Sequence, residues 1–260
     1  LEPGSVFDAI WGFNNGSNWQ EFREAASKFH VPAQNLVYAD VEGNIAYQMP
    51  GRVPIRANGD GRYPVPGWTD EYEWTGYIPF EELPYVVNPE SGYIATANNR
   101  VSPWDYPYHI TYDWAYGYRA KRIVDMLEAQ NGVFTIADIQ KMQGDGMDLN
   151  AETLVPLLMD VPLSDSHLVE MRTWISAWSR QTDMDSAPAA LFAAYWKHVL
   201  ALTFDDDLPE DYQAAGGSRW FEVMRNITQE PDNFFWDDKT TDAIETRDDI
   251  FAAAFAAAVK

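Results

Sequence analysis

Apolar residues recur at spacings of three and four from Trp19 through Phe22 and Ala26 to Phe29, the period of one helical face. Ser17-x-x-Gln20 predicts a capping box at the start of that helix, and Pro32, which has no N–H to give, predicts its stop. The pattern then changes period. Residues 35–41 and 45–48 read as two strands joined by Glu42-Gly43-Asn44, with Gly43 supplying the backbone angle a tight turn needs. Between residues 50 and 89, Pro, Gly, Trp and Tyr crowd together, predicting loops and short strands, with Asn58-Gly59-Asp60-Gly61 as turn chemistry. Residues 93–96 predict one more short apolar strand, running straight into Ala97-Asn98-Asn99.

Beyond Asp113 the helical period takes over. Residues 118–130 read as a helix ended by Asn131-Gly132, and Thr135 with Asp138 predicts a capped start for the next. Residues 185–202 are rich in Ala and Leu, with Tyr195 and Trp196 among the large side chains. Thr246 with Asp249 caps a last helix expected to run on to Lys260, as though the chain were cut from something longer. Residues 204–210 and Asp237-Asp238 read as acidic surface loops. The expected organisation is a mixed strand-and-loop region over 1–125 and a mostly helical region over 126–260, an α+β class without internal repeats.

Composition narrows the functional classes. Lys plus Arg is 18 and Asp plus Glu is 40, so the formal charge is −22. A chain this acidic repels phosphate backbones and anionic lipid surfaces, which argues against a nucleic-acid partner. No apolar run approaches the roughly 20 residues of a membrane span, so membrane insertion is not expected. Residues 1–10 have neither the basic start nor the apolar core of an export signal, which would have to lie upstream. The absence of Cys removes disulfides, thiolate catalysis and Cys-ligated zinc.

No common catalytic motif stands out, and His30, His109, His167 and His198 are scattered at spacings that suit no metal site. Asn98-Asn99 is the most suggestive pair. A rigidly held Asn at a strand end can donate to a developing oxyanion, although residue chemistry alone favours an ordinary Asn-Asn turn. Arg119 opens a helix one excursion later. Its fork of donors could orient an amide oxygen or a main-chain carbonyl, while the plainer reading is a surface ion pair.

Four ordered strings then carry a resemblance. They are Asn35-Leu36-Val37-Tyr38-Ala39-Asp40 with Gly43-Asn44-Ile45; Gly51-Arg52-Val53-Pro54; Pro64-Val65-Pro66-Gly67 with Trp74-Thr75-Gly76-Tyr77; and Asn88-Pro89-Glu90-Ser91-Gly92-Tyr93-Ile94-Ala95 leading to Asn98-Asn99. In this order and spacing the chain resembles the penicillin acylase family, closely over residues 29–127 and more loosely beyond. The resemblance implies part of an αββα sandwich of antiparallel sheets, the N-terminal-nucleophile hydrolase architecture. It implies an N-acyl amide substrate attacked by the leading Ser of a second chain, with that residue's own amine as base. That Ser is expected in upstream segments this chain does not contain, so the segment alone is expected to be inactive. Gly16-Ser17-Asn18-Trp19 superficially resembles the family's processing site but lacks its second Asn and lies too close to the Tyr38-Ala39-Asp40 hairpin.

The resemblance places the oxyanion Asn at Asn98 and the Arg that orients it at Arg119, one residue from the family spacing, with Arg122 the nearest alternative. It places Gln34 where a relative lines its acyl pocket with an aliphatic side chain. No cofactor is implied for catalysis. A structural calcium would take a carbonyl at Gly61, and its expected acid falls near Ile110, which cannot ligate, leaving Asp113 as a displaced candidate. Periplasmic or secreted location follows from the resemblance alone. The rival readings are a carbohydrate-active or carbohydrate-binding protein, suggested by 11 Trp, 14 Tyr and many carboxylates, and a non-catalytic scaffold that keeps the acylase fold.

Overall fold

In the computed structural model, which describes residues 6–130 and 132–260, strands Leu36–Ala39 (β1) and Ile45–Gln48 (β2) form the expected antiparallel hairpin, with Leu36 opposite Gln48 and Ala39 opposite Ile45. The turn is built by Asp40. Its carboxylate accepts from the Glu42 and Asn44 N–H groups, from the Asn44 side-chain amide and from the Tyr38 hydroxyl, while Gly43 takes φ +89°. Those donors hold the Asp40 carboxyl below its ordinary pKa, the Asn44 amide having the largest effect. Strands Pro54–Arg56 (β3) and Trp74–Tyr77 (β4) pair as a separate two-stranded sheet, and Tyr85–Val87 (β5) adds to the other edge of β2.

The chain divides into two units, Leu1–Leu127 and Glu128–Lys260. In the first, helices Val6–Asn15 (α1) and Trp19–Ser27 (α2) pack together so closely that a Cβ at Gly12 would lie 2.6 Å from the Ala25 Cβ. Trp19 and Phe22 of α2 lie over the Tyr38 ring of β1, with centroids 5.6 and 5.2 Å apart. Beneath β2 and β5, Tyr47, Met49, Val53, Ile78 and Leu83 form the buried core of this unit.

Helix Tyr118–Glu128 (α3) runs across the boundary residues. The second unit holds helices Ile136–Gln143 (α4), Leu149–Asp160 (α5), Ser166–Ser176 (α6), Ala187–Phe204 (α7), Ser218–Ile227 (α8) and Arg247–Ala258 (α9). Its core is larger, with Leu154, Leu158, Tyr195, Phe204, Trp236, Phe251 and Phe255 essentially removed from solvent. The Tyr195 ring meets Phe251 and Phe255 edge-on at 6.0 and 5.7 Å, the arrangement the aromatic quadrupole favours.

Several expectations are corrected. The cap of α2 is Asn18, whose side chain accepts from Glu21 N–H, and Glu21 reaches back to the Ser17 N–H. The cap is therefore one residue later than Ser17, and the two bonds do not close a reciprocal box on a single residue. That helix ends at Ser27, ahead of Pro32, because Lys28 and Phe29 bond back to Ala25 and Ala26 and Phe29 turns toward the Phe13 ring. Residues 93–96 pair with no strand among the described residues and so form no ladder, which is what a strand requires. Helix α9 stops at Ala258, with Val259 as its cap. The proposed stop of α3 at Asn131 lies outside the described residues, as do residues 1–5. Both Thr-Asp capping boxes, at Thr135 with Asp138 and Thr246 with Asp249, form as predicted.

Candidate active site

Buried Ala97 anchors a loop whose next residue, Asn98, is exposed and holds φ +64°. Few residues other than Gly enter that left-handed region, and Asn is one of the best tolerated. Three tethers hold the conformation. The Asn98 carbonyl accepts from the Ala115 N–H at 2.8 Å. The Asn99 side chain accepts from the Ala97 N–H at 3.0 Å and donates to the Arg100 carbonyl at 3.2 Å, clasping the chain on either side of Asn98. From the first turn of α3, Arg119 Nη2 donates to the Ala97 carbonyl at 2.7 Å and to Asn98 Oδ1 at 2.9 Å. Downstream, Arg100 braces the loop by donating to the Ser102 and Pro103 carbonyls and lying 4.3 Å from the Trp104 ring centre.

The Arg119 contact fixes the chemistry of the Asn98 amide. Arginine only donates, so the amide presents its oxygen to the guanidinium and its NH₂ group away from it. A positive charge on the amide oxygen polarises the group and makes its N–H a stronger donor. The result is a rigid, neutral donor on an exposed corner, the kind of group that can meet a developing negative charge.

Gln34 lies at a different place in the same unit. It lines a cavity of about 330 Å³ together with apolar Met49, Val53, Val101, Ile110 and Trp114 and polar Asn35, Arg52 and Thr111. Trp114, in the cavity wall, precedes Ala115, whose N–H bonds to the Asn98 carbonyl. The neighbouring Asn35 Oδ1 accepts from the Tyr47 hydroxyl at 2.6 Å, and burial pushes that phenol's pKa up. A second cavity of about 210 Å³ is lined by Tyr47, Val86, Tyr93, Thr96, Asn99 and Val101.

The residues around Gly61 do not fit a calcium ion. A side-chain carbon at Gly61 would lie 2.8 Å from Arg56 Nη2, and Asp60 is paired with Arg62 at 2.7 Å, so two guanidinium groups occupy the neighbourhood. Asp113 has its own N–H bonded to Thr111 Oγ1. No group of three or more His, Asp or Glu able to hold a metal occurs among the described residues. The structure thus joins Asn98 to Arg119, sets Gln34 in a cavity that Asn98 and Arg119 do not line, and gives Gly61 and Asp113 no shared ligand cage among the described residues. Asn99 had no role in the sequence reading beyond being half of an Asn-Asn pair. Only its contacts with Ala97 and Arg100 reveal the clasp.

An α+β chain with two small antiparallel sheets, a helical second unit and an Arg-held Asn matches one family over its whole length. A sequence profile of the penicillin amidase family matches residues 1–260, and the chain belongs to that family. Among its relatives, penicillin acylase 2 proenzyme of a Pseudomonas species (strain SE83) is 33% identical over 202 residues, covering 77% of this chain and 26% of the relative. Acyl-homoserine lactone acylase QuiP of Pseudomonas fluorescens is 28% identical over 280 residues, covering 100% of this chain and 34% of the relative. The solved thermostable penicillin G acylase from Alcaligenes faecalis superposes with a TM-score of 0.72 at 25% identity, covering 96% of this chain and 50% of that one. The fold is therefore that of the penicillin acylases, and the chain spans about a quarter to a third of the length of these two curated relatives.

Proposed function

We propose that this chain carries the oxyanion-stabilising corner of an enzyme that hydrolyses N-acyl amide bonds. The nucleophile is an N-terminal Ser contributed by another part of the protein. Its hydroxyl adds to the amide carbonyl and its proton passes to the serine's own α-amine. As the carbonyl oxygen becomes negative, Asn98 Nδ2–H donates to it, while Arg119 holds the Asn98 amide in the required orientation. The C–N bond then breaks, the amine leaves with the proton, and water releases the acyl group from the serine ester. The observation that carries this reading is the Arg119–Asn98 bond of 2.9 Å, which commits the amide oxygen and leaves the N–H side for substrate. The cavity beside Gln34 receives the acyl group, and the side-chain amide there favours acyl groups with a polar atom over purely aliphatic ones.

The test is Asn98→Ala in the complete, processed protein. Removing one such donor is expected to lower kcat/KM by about 10²–10³, and a loss below about tenfold would sink the assignment. In the same assay, Gln34→Leu is expected to move preference toward aliphatic acyl chains, and an unchanged substrate profile would remove Gln34 from the acyl site. Export to the periplasm or the medium belongs to the same reading, and fractionation of cells expressing the full protein checks it.

A further inference from the structure

We infer that Asn99 is the positioning residue that sets the aim of the Asn98 amide. This inference rests on the functional reading above and adds a second residue to the site. Of the tethers on the loop, two are external, from Ala115 N–H and from Arg119. Asn99 alone acts from within, spanning Asn98 by accepting from Ala97 N–H and donating to Arg100 O. Ala97 is thereby held at both its polar atoms, its N–H by Asn99 and its carbonyl by Arg119. Those bonds fix the residue preceding Asn98, and with it the direction in which the Asn98 side chain leaves the backbone.

The left-handed φ of +64° at Asn98 makes this control necessary. Asn enters that region more readily than other non-Gly residues, yet ordinary angles stay open to it, so its surroundings must select this one. Loss of the Asn99 clasp lets the loop relax toward ordinary angles, swinging the amide while Arg119 still holds one end. A displacement on the order of 1 Å at such a donor can cost about 10²-fold in rate. Asn99 itself touches neither substrate nor reacting atoms in this account. Its effect runs entirely through Asn98.

The experiment is a double-mutant cycle in the complete, processed protein, measuring kcat and KM separately. Asn99→Ala is expected to lower kcat by about 10- to 100-fold with KM changed less than about threefold, since mis-aiming acts on the transition state. In an Asn98→Ala background the same change is expected to cost less than about twofold, because there is no amide left to aim. Asn99→Asp, which keeps the acceptor for Ala97 N–H but loses the donor to the Arg100 carbonyl, is expected to give a kcat between those of Asn99→Ala and the parent protein. Should Asn99→Ala fail to fold or process, Asn99→Asp carries the test in the same cycle, and a kcat loss from it that is equal with and without Asn98 overturns the inference. Equal losses from Asn99→Ala with and without Asn98 would mean a general structural role and also overturn it. If Asn98→Ala itself is silent, the functional reading falls and takes this inference with it. If Asn98→Ala is severe and Asn99→Ala is silent, only the inference falls.

Discussion

Tyr195 and Gln48 are both polar and both removed from solvent, yet they stand in opposite accounts. Gln48 accepts from Arg23 Nε and donates to the Met49 carbonyl, so its desolvated amide is repaid. The Tyr195 hydroxyl has no partner among the described residues, and its pKa is driven well up by burial. Removing an unsatisfied hydroxyl while keeping the ring is expected to stabilise the helical unit, by about 1 kcal/mol. Thermal or urea unfolding of Tyr195→Phe checks this, and a loss of stability would mean that the hydroxyl has a partner. At this scale the sequence was legible where chemistry is distinctive. Asn98 and Arg119 could be named because the surrounding strings resemble a known pattern. The cap of α2 was placed one residue early, at Ser17 rather than Asn18, because both are good caps and a one-residue shift of helix phase decides between them.

Among the elements, capping carboxylates divide by environment. Asp249 accepts from the Thr246 hydroxyl and backbone, which lowers its pKa. Asp148 caps α5 through the Asn150 and Ala151 N–H groups, but burial outweighs those bonds and raises its pKa. The signs follow from linkage. With a depressed folded pKa, Asp249 contributes stability above the unfolded value near 4 that is lost as pH falls through the folded one. With a raised folded pKa, Asp148 is most favourable below the unfolded value and loses that advantage as pH rises through the folded one. Asp148→Asn keeps an acceptor for the cap without the buried charge. It is expected to match or exceed the parent Tm at pH 7 and to lose that advantage by about pH 3.5. Asp249→Asn is expected to lower Tm at pH 7 and to converge with the parent in acid. Melting curves from pH 3 to 7 distinguish the two, and parallel curves for both variants would refute the argument. The capping boxes were readable because both partners are local. Helix α1 was missed because its apolar residues do not repeat on one face: Ala9 is buried and Phe13 packs on Phe22 and Phe29, while Phe7, Ile10 and Trp11 are exposed. The strand predicted at residues 93–96 failed for the converse reason: a ladder needs a neighbour, and local pattern says nothing of one.

For the whole chain, an excess of 22 negative charges sits on a surface with few cations to offset them. Screening reaches only about 10 Å at 0.1 M salt against about 30 Å at 0.01 M, so self-repulsion weakens steeply over that range. The Tm is expected to rise with sodium chloride from 10 mM to 0.3 M, and a flat or falling Tm would show that the charges are locally paired. The α+β class was legible from the change of period after Asp113. The layered sandwich was available only through family resemblance, because strands of three or four residues are too short for alternation to declare which face is inward.

Position 98 is constrained twice over, once by its backbone and once by its side chain. Glycine accepts the left-handed angle but offers no amide. Aspartate tolerates the angle, yet on the proposed function would set a negative charge against the oxyanion. Glutamine keeps the amide and is a poorer fit to the angle, with one more rotatable bond to freeze. If position 98 serves the proposed oxyanion role, a saturation library there should return a single usable letter, while a library at Gln34 tests whether that cavity sets the acyl preference.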